Sequence, residues 1–255
     1  MNDKNKTINT SIADVKKKNT QNSALETQCL FGEQITVLQT EKNWSFCRLK
    51  LDGYLGWIKN KSFGDYFKTD HIISNPQTFI YKEPYYNSGI IFKLFMNSKI
   101  KILKVMGNWI KIYVNKNKIG YVPKNHIRKT KEIKNNLLET LLTFKNAPYL
   151  WGGKSIEGID CSGLVQICLE TKNLLIPRNS SDQLTYKCNF LLDSQIIEKE
   201  CLVFWKGHVA IAISNDAIIH SNSYHMSVKI EDVDSAIRRI SKTDGSIIGI
   251  KKLIY

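Results

Sequence analysis

The sequence predicts a protein of mixed helices and strands, in which two small β-barrels precede a third domain that combines both. Two observations support the barrels: an internal repeat in the first half, and short alternating segments bounded by Gly, Asn and Pro. A third observation sets the last domain apart, because a helical pattern that begins at Cys161 is followed by apolar runs typical of buried strands. The predicted domains are residues 1–66, 67–130 and 131–255.

The internal repeat is clearest when the two copies are aligned on tryptophan and glycine. Trp44 and Trp109 each follow an asparagine and are 65 residues apart (109 minus 44), while Gly56 and Gly120 are 64 apart (120 minus 56). The alternating segments of each copy predict a barrel of five or six strands. We interpret Trp44 and Trp109 as core residues of their barrels.

Two segments are expected to join the three predicted domains. Residues 63–70 connect the barrels, and residues 129–136 lead into the last domain, whose first helix is predicted over 136–145. The first residues of the chain are expected to be flexible.

The third domain is organised around Cys161. A turn-rich loop containing Gly152, Gly153 and Gly158 leads into Asp160, after which apolar residues recur at helical spacing. Asp160 fits the N-cap position, so Cys161 is predicted at the start of a helix. The positive end of a helix dipole favours a thiolate, which makes such a cysteine a candidate nucleophile. A buried packing role is the competing interpretation.

Two histidines downstream supply the base that a nucleophilic thiol requires. His208 starts one apolar run and His220 ends the next, and an Asn-Asp turn at 215–216 joins the two. Antiparallel pairing of these strands would place the two imidazoles side by side. A base held by a further polar group is the arrangement that activates a weak nucleophile. His225 is an alternative orienting residue.

Composition and charge limit the classes of function. Formal charge is +14, from 37 Lys and Arg against 23 Asp and Glu, but the lysines are spread along the chain without a recognition motif. We therefore expect no nucleic-acid partner. The sequence has no apolar run of about 18 residues, so no membrane span is expected. The N-terminus lacks the apolar region of a secretory signal, and the six cysteines lack paired spacing, which favours a cytoplasmic location.

The motifs of the third domain match a known family. The chain contains Tyr149-Leu-Trp-Gly-Gly, Gly158-Ile-Asp-Cys-Ser-Gly-Leu-Val-Gln, Phe204-Trp-Lys-Gly-His-Val-Ala-Ile and Ile219-His. Together these motifs closely resemble the NlpC/P60 family of cysteine peptidases, which cut bacterial cell-wall peptides. The resemblance covers residues 136–255 and implies an α+β domain with a circularly permuted papain-like fold. It implies that Cys161 is the nucleophile, His208 the general base and acid, and His220 the residue that orients His208.

The repeat in the first half resembles bacterial SH3-like domains, which commonly precede NlpC/P60 domains. In related enzymes a tyrosine of the first barrel reaches the catalytic cleft, and the segment around Tyr54 resembles that region. The resemblance therefore implies Tyr54 as a substrate-binding residue, although a barrel role is the alternative. The barrels either shape the cleft for short peptides or tether the enzyme to wall polymer.

Four residues of the third domain are further candidates for substrate binding. The family resemblance places Tyr149 near the nucleophile, where its hydroxyl would help polarise a carbonyl. Asp160 and Ser162 flank Cys161, and a carboxylate there would pair with a free peptide amine. Arg178, in an Ile-Pro-Arg segment, suits bidentate contact with a substrate carboxylate, and a structural role is equally open.

The resemblance implies a cysteine endopeptidase that hydrolyses the bond between γ-D-glutamate and the next diamino acid of peptidoglycan stem peptides. Short peptides in cell-wall recycling are the expected substrates. No metal or organic cofactor is expected. A Cys-His amidase or acyltransferase of the same fold and a non-catalytic wall-binding protein are the alternatives. The sequence does not decide between diaminopimelate and lysine, nor does it define the oligomeric state.

Overall fold

A computed structural model describes residues 4–133 and 136–254 of the chain. The chain divides into two compact units after Ile133. The ranges 1–66 and 67–130 both fall in the first unit, and most of 131–255 falls in the second. Residues 1–3, which we expect to be flexible, and residues 134 and 135 of the predicted connection 129–136 lie outside the described residues.

The first sheet of the first unit has seven antiparallel strands. They are β1 (Asn5–Ile8), β2 (Ile12–Lys16), β3 (Leu25–Leu30), β4 (Gln34–Glu41), β5 (Trp44–Leu49), β6 (Leu55–Lys59) and β7 (Phe63–Asp65). Their spatial order is β3-β2-β6-β5-β4-β1-β7, and a 3₁₀ turn over Asn60–Ser62 precedes β7. The start of the predicted connection 63–70 is therefore a strand, because β7 finds a partner in β1.

The rest of the first unit forms a five-stranded and a three-stranded sheet. The strands are β8 (His71–Ile73), β9 (Gln77–Tyr81), β10 (Ile90–Phe95), β11 (Lys99–Ile100), β12 (Ile102–Met106), β13 (Trp109–Asn115), β14 (Lys118–Pro123) and β15 (Ile127–Lys129). The orders are β10-β9-β14-β13-β12 and β11-β8-β15, and a 3₁₀ turn spans Lys124–His126. The core of this region includes Phe31, which follows β3, so the two repeats share buried apolar surface.

The repeated tryptophans and glycines occupy equivalent places in the two sheets. Trp44 opens β5 and Trp109 opens β13, each at the start of a central strand. A Cβ on Gly56 would lie 2.4 Å from the Val15 side chain, and one on Gly120 would lie 2.2 Å from the Ile80 side chain. Because such a separation is too short for two carbons, both positions require glycine, which explains that part of the repeat.

The second unit combines four helices with eight strands among its described residues. The helices are α1 (Leu137–Thr143), α2 (Cys161–Glu170), α3 (Ser180–Thr185) and α4 (Val233–Ile240). The strands are β16 (Lys154–Ser155), β17 (Gly158–Ile159), β18 (Leu191–Asp193), β19 (Cys201–Trp205), β20 (His208–Ala212), β21 (Ala217–Asn222), β22 (Ser227–Asp232) and β23 (Gly249–Leu253). Strands β16 and β17 pair with each other, and the other six form one antiparallel sheet in the order β18-β23-β19-β20-β21-β22.

The six-stranded sheet is covered on both faces. Side chains alternate between the faces of a strand, so Val203, Ala210 and Ile218 share one face, where they pack with Ala236 and Ile240 of α4. Helix α2 packs against β20 and β21, and all ten of its residues are buried. This arrangement is the α+β architecture that the sequence predicts.

Candidate active site

Cys161 is the first residue of α2, as the sequence predicts. Asp160 is the N-cap, and its carboxylate accepts a hydrogen bond from the Gly163 N–H at 2.7 Å. A Cβ on Gly163 would lie 2.5 Å from the Gly153 carbonyl oxygen, so the preceding loop packs directly on the first turn of the helix. Capping and this close approach together fix the position of Cys161.

The surroundings of Cys161 disfavour the thiolate. Cys161 is 9% exposed, and burial, followed by the negative charge of Asp160, raises the pKa of its thiol to about 11. Hydrogen bonds from the backbone N–H groups of Val209 and Ser162, together with the charge of Arg178, act in the opposite direction. Burial thus opposes the effect of the helix terminus, which the sequence analysis expects to favour a thiolate. The thiol needs a base that removes its proton during attack.

The two predicted histidines lie side by side on neighbouring antiparallel strands. His208 opens β20, His220 lies on β21, and the His208 Nε2 atom is 2.8 Å from the His220 Nδ1 atom. Burial, and then the charges of His220 and Arg239, lower the pKa of His208 to about 3. Burial likewise lowers the pKa of His220. Both imidazoles are therefore neutral near pH 7, and His208 can accept a proton.

Glu231 and Arg239, which the sequence analysis missed, continue this chain of contacts. The Glu231 Oε2 atom is 2.6 Å from His220 Nε2 and 2.6 Å from Arg239 Nη2, and Arg239 Nε donates to Oε1 at 3.2 Å. Burial alone would raise the pKa of Glu231, but the hydrogen bonds from His220 and Arg239 lower it to about 2. His225 Nε2 is 3.3 Å from the same Oε2 atom and does not contact His208 through a hydrogen bond in the described residues.

Strand alternation explains why Glu231 lies beside the histidines. On β22, Glu231 is opposite Ile218, which lies two residues before His220 on the same face of β21. Arg239 comes from α4, the helix that covers this face. The alternating pattern of residues 227–231 is the sequence signal that places an acidic residue there, but it does not say which face of the strand meets the histidines.

Cys161 and His208 line one cavity of about 530 Å³ in the second unit. Its other lining residues are Tyr149, Trp151, Lys206, Gly207, Asn222, Ser223, Tyr224, Arg239, Ile240, Lys242, Thr243 and Asp244. Tyr149 is held by its backbone, whose N–H donates to the Met226 carbonyl at 2.9 Å. Burial, and then the charges of Cys161 and Asp160, raise the pKa of Tyr149 to about 12, so its hydroxyl stays protonated. The structure thus brings together Cys161, His208 and Tyr149.

Asp160, Ser162 and Arg178 form a buried cluster beside Cys161. Arg178 is 2% exposed and donates to Asp160 Oδ1 at 2.9 Å, to Asp160 Oδ2 at 2.7 Å and to Ser162 Oγ at 2.8 Å. The Gly152 N–H also donates to Asp160 Oδ2, at 2.8 Å. A substrate amine would have to displace one of these donors, and a substrate carboxylate would have to compete with Asp160 for Arg178. Substrate contacts of these three residues stay predictions.

Tyr54 lies in the first unit. It is half-buried against the core of the first sheet, and its hydroxyl donates to Glu26 Oε2 at 3.1 Å. Its proposed contact with substrate stays a prediction.

Two further features of the described residues concern metal ions and membranes. Among residues 4–133 and 136–254, no group of three or more His, Cys, Asp or Glu side chains is arranged to hold a metal ion. Within the same residues, no helix combines the length and the apolar character needed to cross a membrane.

Two family models match the chain. The model of the NlpC/P60 family matches residues 146–242, which include Cys161, His208 and His220. The model of the bacterial dipeptidyl-peptidase Sh3 domain matches residues 17–63, within the first sheet.

Named relatives and one solved structure agree with these matches. The chain is 28% identical over 240 residues to the gamma-D-glutamyl-L-lysine dipeptidyl-peptidase of Bacillus cereus, covering 81% of this chain and 70% of the relative. It is 26% identical over 234 residues to the Bacillus subtilis protein of that name, covering 82% and 76%. The crystal structure of an NlpC/P60 family protein from Bacillus cereus superposes with a TM-score of 0.84 at 19% identity, over 98% of this chain and 100% of that one. This structural likeness shows the fold.

The motifs, the fold and the family matches agree, and the predicted resemblance is confirmed. The chain contains an NlpC/P60 family domain over residues 146–242 and a bacterial dipeptidyl-peptidase Sh3 domain ahead of it, over residues 17–63.

Proposed function

We propose that this chain is a cysteine endopeptidase that hydrolyses the bond between γ-D-glutamate and the following diamino acid in short peptidoglycan stem peptides. The observation that carries the proposal is the cavity that Cys161 shares with His208, whose Nε2 atom is 2.8 Å from His220. The names of the two Bacillus dipeptidyl-peptidases support the choice of bond.

Acylation begins with a neutral thiol and a neutral imidazole. His208 Nε2 is engaged by His220, so Nδ1 is the ring nitrogen left to take the thiol proton. As that proton leaves, Cys161 Sγ attacks the carbonyl carbon of the γ-glutamyl amide and a tetrahedral intermediate forms. His208 then gives the proton to the amide nitrogen, the C–N bond breaks, and the amine of the diamino acid departs.

Deacylation regenerates the enzyme with the same two groups. His208, again neutral, removes a proton from a water molecule that attacks the thioester carbonyl. The C–S bond breaks, the proton returns to sulfur, and the peptide ending in γ-glutamate is released. His220 keeps the imidazole of His208 in place through both steps.

The charges around the cavity suit an acidic peptide. Lys206 and Lys242 line it, with Asp244 as the opposing carboxylate, whereas the charge of Arg239 is balanced by Glu231. A γ-linked glutamate leaves its α-carboxylate free, and the diamino acid contributes at least one more carboxylate. Cationic walls raise the local concentration of such a substrate, most strongly at low salt.

A cytoplasmic location is part of the proposal. All six cysteines are free, including the partly exposed Cys188, which suits a reducing compartment. Wall peptides that enter the cytoplasm during turnover would then be the substrates. Fractionation of cells that make the full-length protein tests this, and recovery outside the cytoplasm would contradict it.

The test of activity is mass spectrometry of L-Ala-γ-D-Glu-diaminopimelate and L-Ala-γ-D-Glu-L-Lys after incubation with the protein. Wild type should release the free diamino acid, and Cys161→Ala should release none. Cys188→Ala is the matched control, since it removes a thiol outside the cavity and should retain full activity. Intact peptides with folded wild type would contradict the proposal, and cleavage of polymeric peptidoglycan alone would contradict the preference for short peptides.

A further inference from the structure

A chain of hydrogen bonds runs from the proposed base into the wall of the second unit. It passes from His208 to His220 at 2.8 Å, from His220 to Glu231 at 2.6 Å, and from Glu231 to Arg239 at 2.6 Å. His220 is 1% exposed, so its ring nitrogens depend on these two partners.

The chemical nature of Glu231 sets the direction of every bond in this chain. An ionised carboxylate only accepts hydrogen bonds, so His220 must carry its proton on Nε2. A neutral imidazole has one donor and one acceptor nitrogen, which leaves His220 Nδ1 as an acceptor. His208 therefore donates from Nε2, and its Nδ1 keeps the lone pair that the thiol proton requires.

We propose that Glu231 is a positioning residue that selects the tautomer of both histidines, and that Arg239 holds its carboxylate in place for this task. The proposal deepens the proposed peptidase function and rests on it for its kinetic test. Glu231 acts through His220, since two hydrogen bonds separate it from the base that takes part in proton transfer.

Arg239 makes the carboxylate form of Glu231 the only one that fits. Its guanidinium donates to both carboxylate oxygens, at 3.2 and 2.6 Å, and lies 4.5 Å from the centre of the Tyr224 ring. Arginine has no acceptor, so a hydrogen on either glutamate oxygen would oppose one of these donors. A bidentate pair of this kind fixes geometry as well as charge.

Two replacements of similar volume separate selection of the tautomer from packing. In Glu231→Gln, the amide oxygen can take the place of Oε2, where it still accepts from His220 Nε2 and Arg239 Nη2, so both tautomers are kept. Glu231→Met offers His220 no acceptor and therefore imposes no tautomer. If Glu231 only packed, both variants would behave like wild type.

We therefore expect Glu231→Met to lower kcat on the tripeptide by about tenfold to a hundredfold, the usual cost of losing an indirect partner. Glu231→Gln should keep most of the wild-type kcat, because it keeps the acceptor for His220. KM should change little in both, since Glu231 does not line the cavity among the described residues. Asp193→Asn is the control: it removes an exposed carboxylate that pairs with Lys251 in the same sheet, and it should leave kcat unchanged.

A spectroscopic readout tests the inference without any substrate. Two-bond ¹H–¹⁵N correlation spectra of the ¹⁵N-histidine-labelled full chain distinguish the two tautomers of neutral imidazole. Wild type and Glu231→Gln should show His220 and His208 both protonated on Nε2, and Glu231→Met should show a mixture of tautomers. If the wild type cuts no peptide but the spectra follow this pattern, the peptidase proposal fails and the tautomer inference stands.

Three results would overturn the inference. One is a methionine variant that is as active as the glutamine variant. Another is the wild-type tautomer pattern in the methionine variant. The last is a loss confined to KM. Should Glu231→Met fail to fold, the wild-type spectra decide alone, because a proton on Nδ1 of His220 would contradict the inference.

Discussion

The second unit contains two acid–arginine pairs, one beside the nucleophile and one behind the histidines. Asp160 and Arg178 lie 2.7 Å apart, with side chains 10% and 2% exposed. Glu231 and Arg239 lie 2.6 Å apart, with side chains 15% and 23% exposed. The two pairs have the same chemistry and nearly the same geometry, but their remaining hydrogen bonds go to different kinds of group.

Those remaining partners define what each pair does. Asp160 also accepts from the backbone N–H groups of Gly152 and Gly163, so this pair holds the loop and the start of α2 in shape. Glu231 also accepts from His220, so the second pair acts on an imidazole. The role of an ion pair next to an active site therefore depends on its other partners. It differs according to whether the carboxylate also accepts from a backbone N–H group or from a titratable side chain.

The largest expected effect is a loss of stability when the buried pair of Asp160 and Arg178 is broken. Asp160→Ala leaves Arg178 buried without a counter-charge, which should lower the free energy of unfolding by about 3–5 kcal/mol. Asp160→Ala with Arg178→Met should recover part of that loss, because neither charge then remains. Chemical denaturation of the three proteins measures this. Equal stability of Asp160→Ala and wild type would show that the pair does not hold the loop.

The next prediction concerns how burial and the charge of Asp160 affect the reactivity of the Cys161 thiol. Because burial and Asp160 raise the pKa of Cys161 to about 11, its thiolate fraction should grow with pH throughout the neutral range. Its alkylation by iodoacetamide should accelerate about tenfold per pH unit between pH 7 and 9. Cys161→Ala supplies the background from the other thiols. A rate independent of pH between 5 and 8 would instead indicate a preformed thiolate–imidazolium pair.

A third prediction concerns the contribution of the Glu231–Arg239 pair to stability and its dependence on pH. The pKa of Glu231 is lowered from 4.5 to about 2, so its stabilisation is fully present above pH 4.5 and is lost as pH falls through 2. Glu231→Gln should be less stable than wild type by about 1.5–3 kcal/mol near pH 7, the usual worth of a hydrogen bond to a charged group.

Melting temperatures measured between pH 2.5 and 7 test that prediction. The gap between wild type and Glu231→Gln should be widest near pH 7 and should narrow below pH 4.5. Asp216→Asn is the control, because an exposed carboxylate in the turn between β20 and β21 contributes little at any pH. A gap that stays constant down to pH 2.5 would mean that Glu231 stabilises the fold by packing alone.

The smallest effect concerns cationic side chains outside both pairs. Lys206 and Lys242 are exposed at the cavity, so replacing both with glutamine should raise KM by about two- to fivefold at low salt. The increase should be greater for the diaminopimelate tripeptide, which carries one more carboxylate than the lysine tripeptide. Lys187→Gln, an exposed lysine outside the cavity lining, is the control. Equal KM values for variant and wild type would remove these lysines from substrate binding.

Local sequence patterns predicted the parts of the site that depend on neighbouring residues. The N-cap at Asp160, the helix start at Cys161 and the antiparallel strands that carry His208 and His220 all follow from short-range periodicity and turns. The repeated glycines at 56 and 120 were visible as a repeat, but the packing that excludes a Cβ at each was not.

The sequence did not reveal contacts between distant elements. From the sequence, Arg178 was a candidate for binding a substrate carboxylate. In the fold its guanidinium donates to Asp160, eighteen residues earlier in the chain, a contact that no local pattern indicates. Glu231 and Arg239 come from a strand and a helix whose shared face depends on the register of the whole sheet. The raised pKa of Cys161 could likewise not be predicted from the sequence. A helix terminus is visible in the local pattern, whereas burial depends on the tertiary structure.

The most direct test of the account is intact-protein mass spectrometry of an acid-quenched reaction. Wild type mixed with L-Ala-γ-D-Glu-diaminopimelate should gain the mass of the alanyl-glutamate dipeptide less one water, and proteolysis should map that acyl group to Cys161. Glu231→Met should accumulate it more slowly, and Cys161→Ala should not accumulate it at all. An acyl group on another residue, or release of diaminopimelate by Cys161→Ala, would contradict the account.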